Sequence, residues 1–371
     1  MSKRALGIIN IEPSYVHVEG IEDYRPISAT SFMGRYRIID FILSNLTNSG
    51  VNNIEVQVKN RPRSTIQHIQ RTDYNINTKR GHIRILHGEK PIPNEIYNTD
   101  VASLMANLKY FEEDNSPYVI LAPSHFIYVQ DFSKMLDYHI ESKNDITVLY
   151  QNVNTANEDF LMCDTLDIDE NKVITNIDKN LGKGKRAKVS LETYIMSKKI
   201  FIDMIYAALS TSSLYSLSDI IADGLDVFKI GGYLHSGYAA CISTLNSYYK
   251  ASMDIKNEKE LSNIFSDEWP IYTATNDTCP TTYTKTSNVS NCVVGNGCII
   301  EGTVENCVIG RNVVVKEGAV IKNSIIMPDA LINKNVKMDK CVVDRLAIVT
   351  HIKALNGSDH APLYVKRGDR I

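Results

Sequence analysis

Three arginines near the start of the chain, Arg25, Arg35 and Arg37, lie in one polar loop. Guanidinium groups bind phosphate oxygens through paired, charge-assisted hydrogen bonds. Arg35 and Arg37 alternate along the loop, which suits a sugar bisphosphate or phosphate. The alternative is that both arginines pair with carboxylates such as Asp40, because charged side chains are seldom buried without a partner. The sequence leaves both interpretations open, and it makes this loop the first place to look for a phosphorylated ligand.

Regular elements on both sides of the loop would position these arginines. An apolar run at Ala5–Ile9 predicts a strand before the loop. Apolar residues recur with helical spacing from Ile38 to Leu46 and stop at residues 48–50, Asn-Ser-Gly. Alternating apolar residues at 54, 56 and 58 predict a second strand. In an open α/β sheet this order places the loop at the carboxyl ends of the strands, where ligands bind.

Composition excludes several classes of function. The 371 residues carry a formal net charge of -3, which gives no reason to expect nucleic acid or an anionic membrane as a partner. We find no signal peptide and no apolar run of membrane-spanning length, so we expect a cytoplasmic protein. The seven cysteines lack CxxC spacing, which argues against both a disulfide framework and a zinc ribbon.

The chain divides into two predicted domains. Strand and helix patterns alternate through residues 1–255, which predicts an α/β Rossmann-like domain with a mainly parallel sheet. Residues 256–286 form a polar linker in which Trp269 is expected to occupy a groove. Residues 287–371 are predicted to form a second domain of repeats.

A four-residue phrase recurs through the second domain, and its last three copies are 17 residues apart. A second short apolar run begins six residues after the small residue of each phrase. Three short strands per turn, with small residues beside branched aliphatic ones, predict a triangular parallel β-helix of hexapeptide units. The copies of the phrase are Asn291-Cys292-Val293-Val294, Asn306-Cys307-Val308-Ile309, Asn323-Ser324-Ile325-Ile326 and Lys340-Cys341-Val342-Val343.

Several stretches resemble, in this order and over essentially the whole chain, the ADP-glucose pyrophosphorylases (glucose-1-phosphate adenylyltransferases) of bacterial glycogen synthesis. They read GRYRIIDFILSNLTNSG, HFIYVQDFSKMLDYHIE, LNSYYKASMD, WPIYT and the hexapeptide tail. The resemblance implies a nucleotidyltransferase domain followed by a left-handed β-helix, assembled as a tetramer.

The chain departs from that family where catalysis would occur. The two aspartates that hold Mg²⁺ in the family fall on His125 and Cys241, and the first loop, from Leu6, has no glycine cluster. Mg²⁺ prefers oxygen ligands, so we expect no catalytic residues, no metal and no cofactor in this chain. His125 and Cys241 could instead bind a softer metal such as zinc, but two ligands alone do not make a zinc site, and we favour packing roles.

Some binding residues match the family. Lys179 matches the position of the lysine that binds the sugar phosphate in the family. Arg25 matches a basic residue of the family's loop motif. The resemblance therefore implies substrate-binding roles for both. Arg35 matches a basic residue that contributes to effector-anion binding in bacterial members, and Arg37 is expected to act with it.

The resemblance is strongest to the regulatory, non-catalytic subunits of Firmicute bacteria. We therefore expect a regulatory subunit of ADP-glucose pyrophosphorylase that activates a catalytic paralogue within a hetero-oligomer, a tetramer by analogy. The partner would use Mg²⁺ to make ADP-glucose and pyrophosphate from ATP and glucose 1-phosphate. The alternatives are an active adenylyltransferase with other metal ligands, and a sensor that binds a sugar phosphate, phosphate or nucleotide without chemistry. A hexapeptide acyltransferase would leave the α/β half unexplained.

Overall fold

The computed structural model describes residues 4–58, 61–77, 79, 81–87, 99–212 and 214–371. None of the helices in these ranges is both long enough and apolar enough to cross a bilayer. The helices are α1 (Ile38–Asn48), α2 (Arg63–Ile69), α3 (Asp100–Ala106), α4 (Leu108–Glu113), α5 (Phe132–Ser142), α6 (Lys198–Thr211), α7 (Leu217–Asp223), α8 (Leu245–Asp254) and α9 (Glu258–Ile264), with 3-10 turns at Ile27–Ala29 and Gly224–Asp226.

Thirteen strands precede the repeats within the described ranges. Several are apolar along their whole length, as expected of strands that are covered on both faces. They are β1 (Ala5–Asn10), β2 (Ser31–Phe32), β3 (Tyr36–Arg37), β4 (Asn53–Val58), β5 (His82–His87), β6 (Tyr118–Pro123), β7 (Phe126–Tyr128), β8 (Ile146–Val153), β9 (Asp164–Ile168), β10 (Ile174–Lys179), β11 (Ala187–Ser197), β12 (Ile230–Leu234) and β13 (Ala239–Cys241).

Nine of these strands form the central sheet. Its main path runs β10-β9-β11-β6-β1-β4-β5, with β8 beside β11 and β12 beside β8. The strands β6, β1, β4 and β5 are parallel, whereas β11 runs antiparallel to β6 and β8. One apolar core lies on each face of the sheet. The prediction of an α/β domain with a mainly parallel sheet is confirmed.

Helix α1 begins at Ile38, where the apolar periodicity predicted it. Its first turn is capped by Asp40, whose Oδ2 accepts a hydrogen bond from the Arg37 backbone N–H at 2.8 Å. The apolar face packs on the sheet through residues such as Ile42 and Leu46, which are fully buried. The loop with the arginines is therefore held between β1 and a rigid helix.

The repeats form three five-stranded parallel sheets, each with one strand from every turn of the chain. Together they make a left-handed parallel β-helix, as predicted. The first sheet contains β14 (Thr282–Tyr283), β17 (Ile299–Ile300), β20 (Val314–Val315), β23 (Leu331–Ile332) and β26 (Ile348–Val349). The second contains β15 (Asn288–Ser290), β18 (Thr303–Glu305), β21 (Val320–Lys322), β24 (Lys337–Asp339) and β27 (Ala354–Asn356). The third contains β16 (Val293–Val294), β19 (Val308–Ile309), β22 (Ile325–Ile326), β25 (Cys341–Val343) and β28 (Leu363–Val365).

The first residue of each repeated phrase turns a corner of the β-helix. Asn291, Asn306, Asn323 and Lys340 all have positive φ, between 43° and 59°, a conformation that asparagine adopts more readily than most residues. Asparagine side chains also stack across the turns: Asn291 Nδ2 donates to Asn306 Oδ1 at 3.0 Å, and Asn323 Nδ2 donates to Asp339 Oδ1 at 2.7 Å. Asparagine therefore recurs at this position for two reasons: it tolerates the positive φ, and its side chain forms hydrogen bonds between successive turns.

The segment between the two domains lies along α1. Trp269 Nε1 donates to Asn45 Oδ1 at 3.0 Å, and the Tyr272 backbone N–H donates to Ser44 Oγ at 2.9 Å. The segment also contains α9 and β14, and β14 pairs with β17 as the outermost strand of its sheet. The third β-helix sheet packs against the α/β domain. There, Val308, Ile325, Met327 and Val342 share an apolar cluster with residues such as Phe41 and Tyr248.

Candidate functional site

His125 and Cys241 lie side by side, as the resemblance implies. His125 directly precedes β7, and Cys241 ends β13, which pairs with β7 so that Cys241 is opposite Phe126. The Ile242 backbone N–H donates to the His125 carbonyl at 2.9 Å. Both side chains are buried, His125 completely. The two positions therefore face one site beside the main sheet.

Three further side chains complete this site, and Tyr15 is at its centre. The Tyr15 hydroxyl donates to Glu192 Oε1 and lies 3.1 Å from His125 Nε2 and 3.6 Å from Cys163 Sγ. His125 Nε2 is 3.8 Å from Glu192 Oε2, and Cys163 Sγ is 3.7 Å from Cys241 Sγ. We call these five residues the buried cluster. Its members contact one another, so the chain's own side chains fill this space.

Glu192 reaches the buried cluster because β11 is irregular there. The pairing of β11 with β8 shifts register between Ser190 and Thr193, and Glu192 takes a φ of 49°. Positive φ is uncommon for residues other than glycine, asparagine and aspartate. Burial is the main cause that raises the pKa of Glu192 to about 7, with smaller contributions from the charges of Asp164 and Asp100. The carboxyl group therefore titrates near neutral pH.

Three other titratable groups of the buried cluster, those of His125, Tyr15 and Cys163, stay neutral. Burial lowers the pKa of His125 to about 3, so its imidazole carries no charge at neutral pH. Burial and the Glu192 charge raise the pKa of Tyr15 well above 10.0. Burial also raises the pKa of Cys163 well above 9.0. Among these four groups, Glu192 is the one whose charge changes near neutral pH.

Lys179 lies at the edge of the same site. It ends β10 directly opposite Asp164 on β9, and its Nζ is 2.5 Å from Asp164 Oδ1. The Asp164 charge raises the pKa of Lys179 despite an opposing effect of desolvation. The structure therefore brings Lys179 close to the cluster but shows its ammonium group in an ion pair.

A cavity of about 390 Å³ borders the buried cluster at Cys241. The turn at Phe160 and Leu161 forms one wall, and β13 and the start of α8 form others. The Lys250 ammonium in this cavity is paired with Asp159 at 2.7 Å. Most remaining lining groups are amides, hydroxyls and carboxylates, so this cavity is not suited to a phosphate.

A second cavity, of about 810 Å³, lies between the α/β domain and the β-helix. We call it the arginine cavity, because five guanidinium groups line it against two carboxylates, those of Asp277 and Asp329. The arginines are Arg35, Arg37, Arg71, Arg311 and Arg345.

Repulsion from neighbouring guanidinium groups adds to the effect of burial on the pKa values of Arg311 and Arg37. Burial and the nearby charge of Arg35 lower the pKa of Arg311. Burial lowers the pKa of Arg37 to about 10, and the charge of Arg345 contributes in the same direction. Among the described residues, Arg345 is the one arginine of this cavity with a carboxylate contact, to Asp329 at 2.7 Å. An anion in the arginine cavity would relieve this repulsion.

Asp40 does not neutralise Arg37 through an ion pair of their side chains. The Arg37 guanidinium donates to the Ser64 carbonyl at 2.6 Å, while Asp40 accepts from the Arg37 backbone, from Tyr74 at 2.9 Å and from His68 at 2.5 Å. Asp40 is fully buried. Its carboxylate thus caps α1 and organises buried partners, and the cation of Arg37 remains on the wall of the arginine cavity.

Arg25 lies in a third environment. Its Nη2 donates to Asp344 Oδ1 at 2.7 Å, and both side chains are buried where the two domains meet. Tyr364 donates to the other carboxylate oxygen of Asp344 at 2.6 Å. Arg25 is not among the residues that line the arginine cavity or the cavity at Cys241. Arg25 therefore lies outside both cavities, although its charge is near enough to contribute to the lowered pKa of Arg37.

Sequence reasoning missed several of these residues. Glu192 is the only charged residue in the stretch 189–197, and that pattern could have indicated a functional or structural role for it. Arg311 and Arg345 are 34 residues apart, which is two repeats of 17, so they occupy equivalent corners of the β-helix. That spacing could have indicated a shared surface. Nothing in the spacing of Tyr15 or Cys163 indicated that they would meet His125 and Cys241.

Mg²⁺, which the family resemblance implies, does not fit the residues of the buried cluster. Its only carboxylate is Glu192, and the other groups are a neutral imidazole, two thiols and a phenol. Hard divalent cations require several oxygen ligands. Within the described ranges, no three His, Cys, Asp or Glu side chains are arranged to hold a metal ion.

Comparison with known proteins agrees with the fold and the two-domain pattern. The Nucleotidyl transferase family matches residues 25–258, and the family of GlmU-like, C-terminal hexapeptide repeats matches residues 278–361. The chain is 27% identical to the glycogen biosynthesis protein GlgD of Bacillus subtilis over 373 residues, which cover 99% of this chain and 97% of that relative. It is 27% identical to the glucose-1-phosphate adenylyltransferases of Bacillus cytotoxicus and Bacillus cereus over 322 residues, 85% of each chain.

These matches confirm the resemblance to ADP-glucose pyrophosphorylases and to GlgD. The first family covers more than half of the chain and includes α1, the central sheet apart from β1, and the buried cluster apart from Tyr15. The chain belongs to the nucleotidyl transferase family.

Proposed function

We propose that this chain is a regulatory, catalytically degenerate subunit of ADP-glucose pyrophosphorylase in glycogen biosynthesis. It activates a catalytic paralogue that makes ADP-glucose and pyrophosphate from ATP and glucose 1-phosphate. The observation that carries the proposal is the buried cluster, in which His125 and Cys241 contact Tyr15, Glu192 and Cys163. At the two positions where the family resemblance implies metal aspartates, this chain therefore has side chains that contact other protein groups.

The chemistry of the cluster supports the same conclusion. Transfer of a nucleotidyl group requires neutralisation of charge on the phosphates, which a divalent cation supplies. A neutral His125 and the thiols of Cys163 and Cys241 are poor ligands for Mg²⁺. The chain therefore uses no cofactor of its own, and the Mg²⁺ of the complex binds to the catalytic subunit.

Regulation requires that the chain favour one state of its partner over another. We propose that it does so within a hetero-oligomer, a tetramer by analogy with the family. The intact apolar cluster between the α/β domain and the β-helix supports this role, because it keeps the two domains in one fixed arrangement that a partner can contact. Neither nucleic acid nor a membrane is needed.

The arginine cavity is the proposed effector site. Five guanidinium groups face two carboxylates there, which favours a ligand with two or more negative charges. A sugar phosphate, phosphate or nucleotide has that chemistry. Arg35 comes from the loop before α1, whereas Arg311 comes from the β-helix, so a bound anion would bridge both domains.

The proposal is tested by measuring ADP-glucose synthesis with this chain alone, with the catalytic paralogue alone and with a co-expressed mixture, all with Mg²⁺. We expect no turnover from the isolated chain and a several-fold higher rate from the mixture than from the paralogue alone. Equal turnover by the isolated chain and the mixture would identify an active adenylyltransferase instead. Complex mass, measured in the same samples, reports the stoichiometry.

A second candidate function is an anion sensor that acts without a catalytic partner. The arginine cavity favours it, because that cavity needs no chemistry at the buried cluster. The two candidates differ in one result: a sensor binds its anion with the same affinity whether or not the paralogue is present and leaves the paralogue's rate unchanged.

A further inference from the structure

Two thiols of the buried cluster are in direct contact. Cys163 Sγ and Cys241 Sγ are 3.7 Å apart, and both cysteines are in the free form. Cys163 is fully buried and Cys241 is 5% exposed. A rotation of both side chains would have to shorten the distance between the sulfur atoms to about 2 Å for a covalent bond to form.

Different parts of the chain bring these thiols together. Cys163 follows a tight turn in which Phe160 and Met162 have φ of 55° and 68°, and its carbonyl accepts from the Asn180 backbone N–H at 2.8 Å. Cys241 is held by the pairing of β13 with β7. The thiols are 78 residues apart in sequence and come from two separately fixed elements.

We propose that Cys163 and Cys241 form a reversible regulatory disulfide, with a low-molecular-weight disulfide as the oxidant. Structural disulfides are rare in a reducing compartment, where those that form are usually transient and serve redox sensing. The inference does not depend on the proposed function, because it concerns only the state of these two thiols.

The positions of the two sulfur atoms suggest the order of the reaction. Cys241 borders the cavity of about 390 Å³, so it is the thiol that an oxidant can reach. The sulfur of Cys241 attacks one sulfur of the oxidant and forms a mixed disulfide, and the displaced sulfur leaves as a thiol that carries the proton lost by Cys241. The sulfur of Cys163 then attacks Cys241 Sγ, and the second thiol leaves. The two protein thiols are thereby oxidised, and one molecule of the oxidant is reduced to two thiols.

Cys163 must lose its proton in the second step, and a proton acceptor is in reach. Tyr15 Oη is 3.6 Å from Cys163 Sγ, and Tyr15 donates a hydrogen bond to Glu192. The proton can pass from Cys163 to Tyr15 Oη while the Tyr15 proton passes to the Glu192 carboxylate. Glu192 acts here as a positioning residue and proton acceptor for the thiol pair.

The disulfide would join two walls of one cavity. Phe160 and Leu161, just before Cys163, form one side of the cavity at Cys241, and Ala239 and Ala240 form another. A covalent bond between Cys163 and Cys241 would fix the width of this opening. Oxidation would therefore change access to the cavity, through a bond between two residues of the α/β core.

The test uses the folded, full-length chain and glutathione disulfide as the probe. After incubation, free thiols are alkylated under denaturing conditions, and the digested protein is analysed by mass spectrometry. We expect peptides that contain Cys163 and Cys241 to appear as one linked species, two hydrogens lighter than the pair, and to separate again with dithiothreitol. Cys163→Ser should instead trap glutathione on Cys241.

Two controls keep the result specific. Cys279 is exposed, and Cys292 is only partly buried, with its sulfur accepting a hydrogen bond from the Cys307 backbone N–H at 3.4 Å. Both thiols could therefore also react with glutathione disulfide. A Cys279→Ser/Cys292→Ser variant should form the Cys163–Cys241 link to the same extent. Glu192→Gln should form it several-fold more slowly. Recovery of both Cys163 and Cys241 as alkylated thiols, while Cys279 of the unsubstituted chain carries glutathione, would overturn the proposal.

Discussion

Arg25 Nη2 lies 2.7 Å from Asp344 Oδ1, and this ion pair is buried between the α/β domain and the β-helix. The exposed fraction of the Arg25 side chain is 5% and that of Asp344 is 0%. Arg25 was expected to bind substrate from the family resemblance. Its contacts instead join the two domains, next to the apolar cluster that they share.

Arg25→Met should therefore destabilise the protein strongly. Removing one partner of a buried pair leaves an uncompensated charge, here on Asp344, and costs about 3–5 kcal/mol of unfolding free energy. Denaturant unfolding followed by circular dichroism measures the loss. Lys322→Met, which breaks the exposed pair of Lys322 with Glu305, is the matched control and should change the unfolding free energy little, because solvent screens exposed ion pairs. Equal effects of the two substitutions would contradict the interpretation.

Arg311→Gln should weaken anion binding in the arginine cavity. Hydrogen bonds to charged groups contribute about 1.5–3 kcal/mol each, so we expect roughly a 10-fold to 100-fold loss of affinity for fructose 1,6-bisphosphate. Isothermal titration calorimetry measures this loss. Arg186→Gln, a substitution of an exposed arginine in another loop, is the control and should leave the affinity unchanged. If the unsubstituted chain gives no heat with bisphosphate, phosphate or nucleotide, the effector assignment is wrong.

The sequence predicted the parts of this site that depend on local pattern. The helical spacing of apolar residues predicted that α1 begins after Arg37, and the repeat of a short phrase every 17 residues predicted the β-helix. The arginine cavity could not be predicted, because Arg35 and Arg311 meet only when the two domains pack together. Likewise, the Glu192 side chain reaches the buried cluster because its backbone has a φ of 49° and β11 shifts register there. The spacing of apolar residues in the sequence predicts neither feature.

Glu192→Gln should raise stability above neutral pH. The ordinary pKa of this carboxyl is 4.5, and burial raises the pKa to about 7 in the folded chain. Between these values the folded state binds more protons than the unfolded state, so ionisation lowers stability as pH rises from about 4.5 to about 7. Above that range the loss is on the order of 3 kcal/mol.

The glutamine variant keeps an acceptor for the Tyr15 hydroxyl but cannot ionise. The difference in unfolding free energy between Glu192→Gln and the unsubstituted chain should therefore grow in favour of the variant between about pH 5 and pH 7. Glu170→Gln, a substitution of an exposed glutamate, should show no such growth. Parallel pH profiles for Glu192→Gln and the unsubstituted chain would show that Glu192 ionises at its ordinary pKa.

The double variant His125→Asp/Cys241→Asp should make stability depend on Mg²⁺. Both new carboxylates would lie in the buried site that holds Glu192, because His125 Nε2 already lies 3.8 Å from Glu192 Oε2 and Cys241 ends the strand paired with β7. Three neighbouring carboxylates repel one another and lose hydration, so the melting temperature should fall by several degrees in EDTA. Millimolar Mg²⁺ supplies the missing counter-charge and should restore much of that loss, since it binds to carboxylate oxygens. The unsubstituted chain has one carboxylate in the cluster and should show no such shift. If its melting temperature rises with Mg²⁺ as much as that of the double variant, then this chain binds the ion through other residues, and its classification as a subunit without a metal would have to be abandoned.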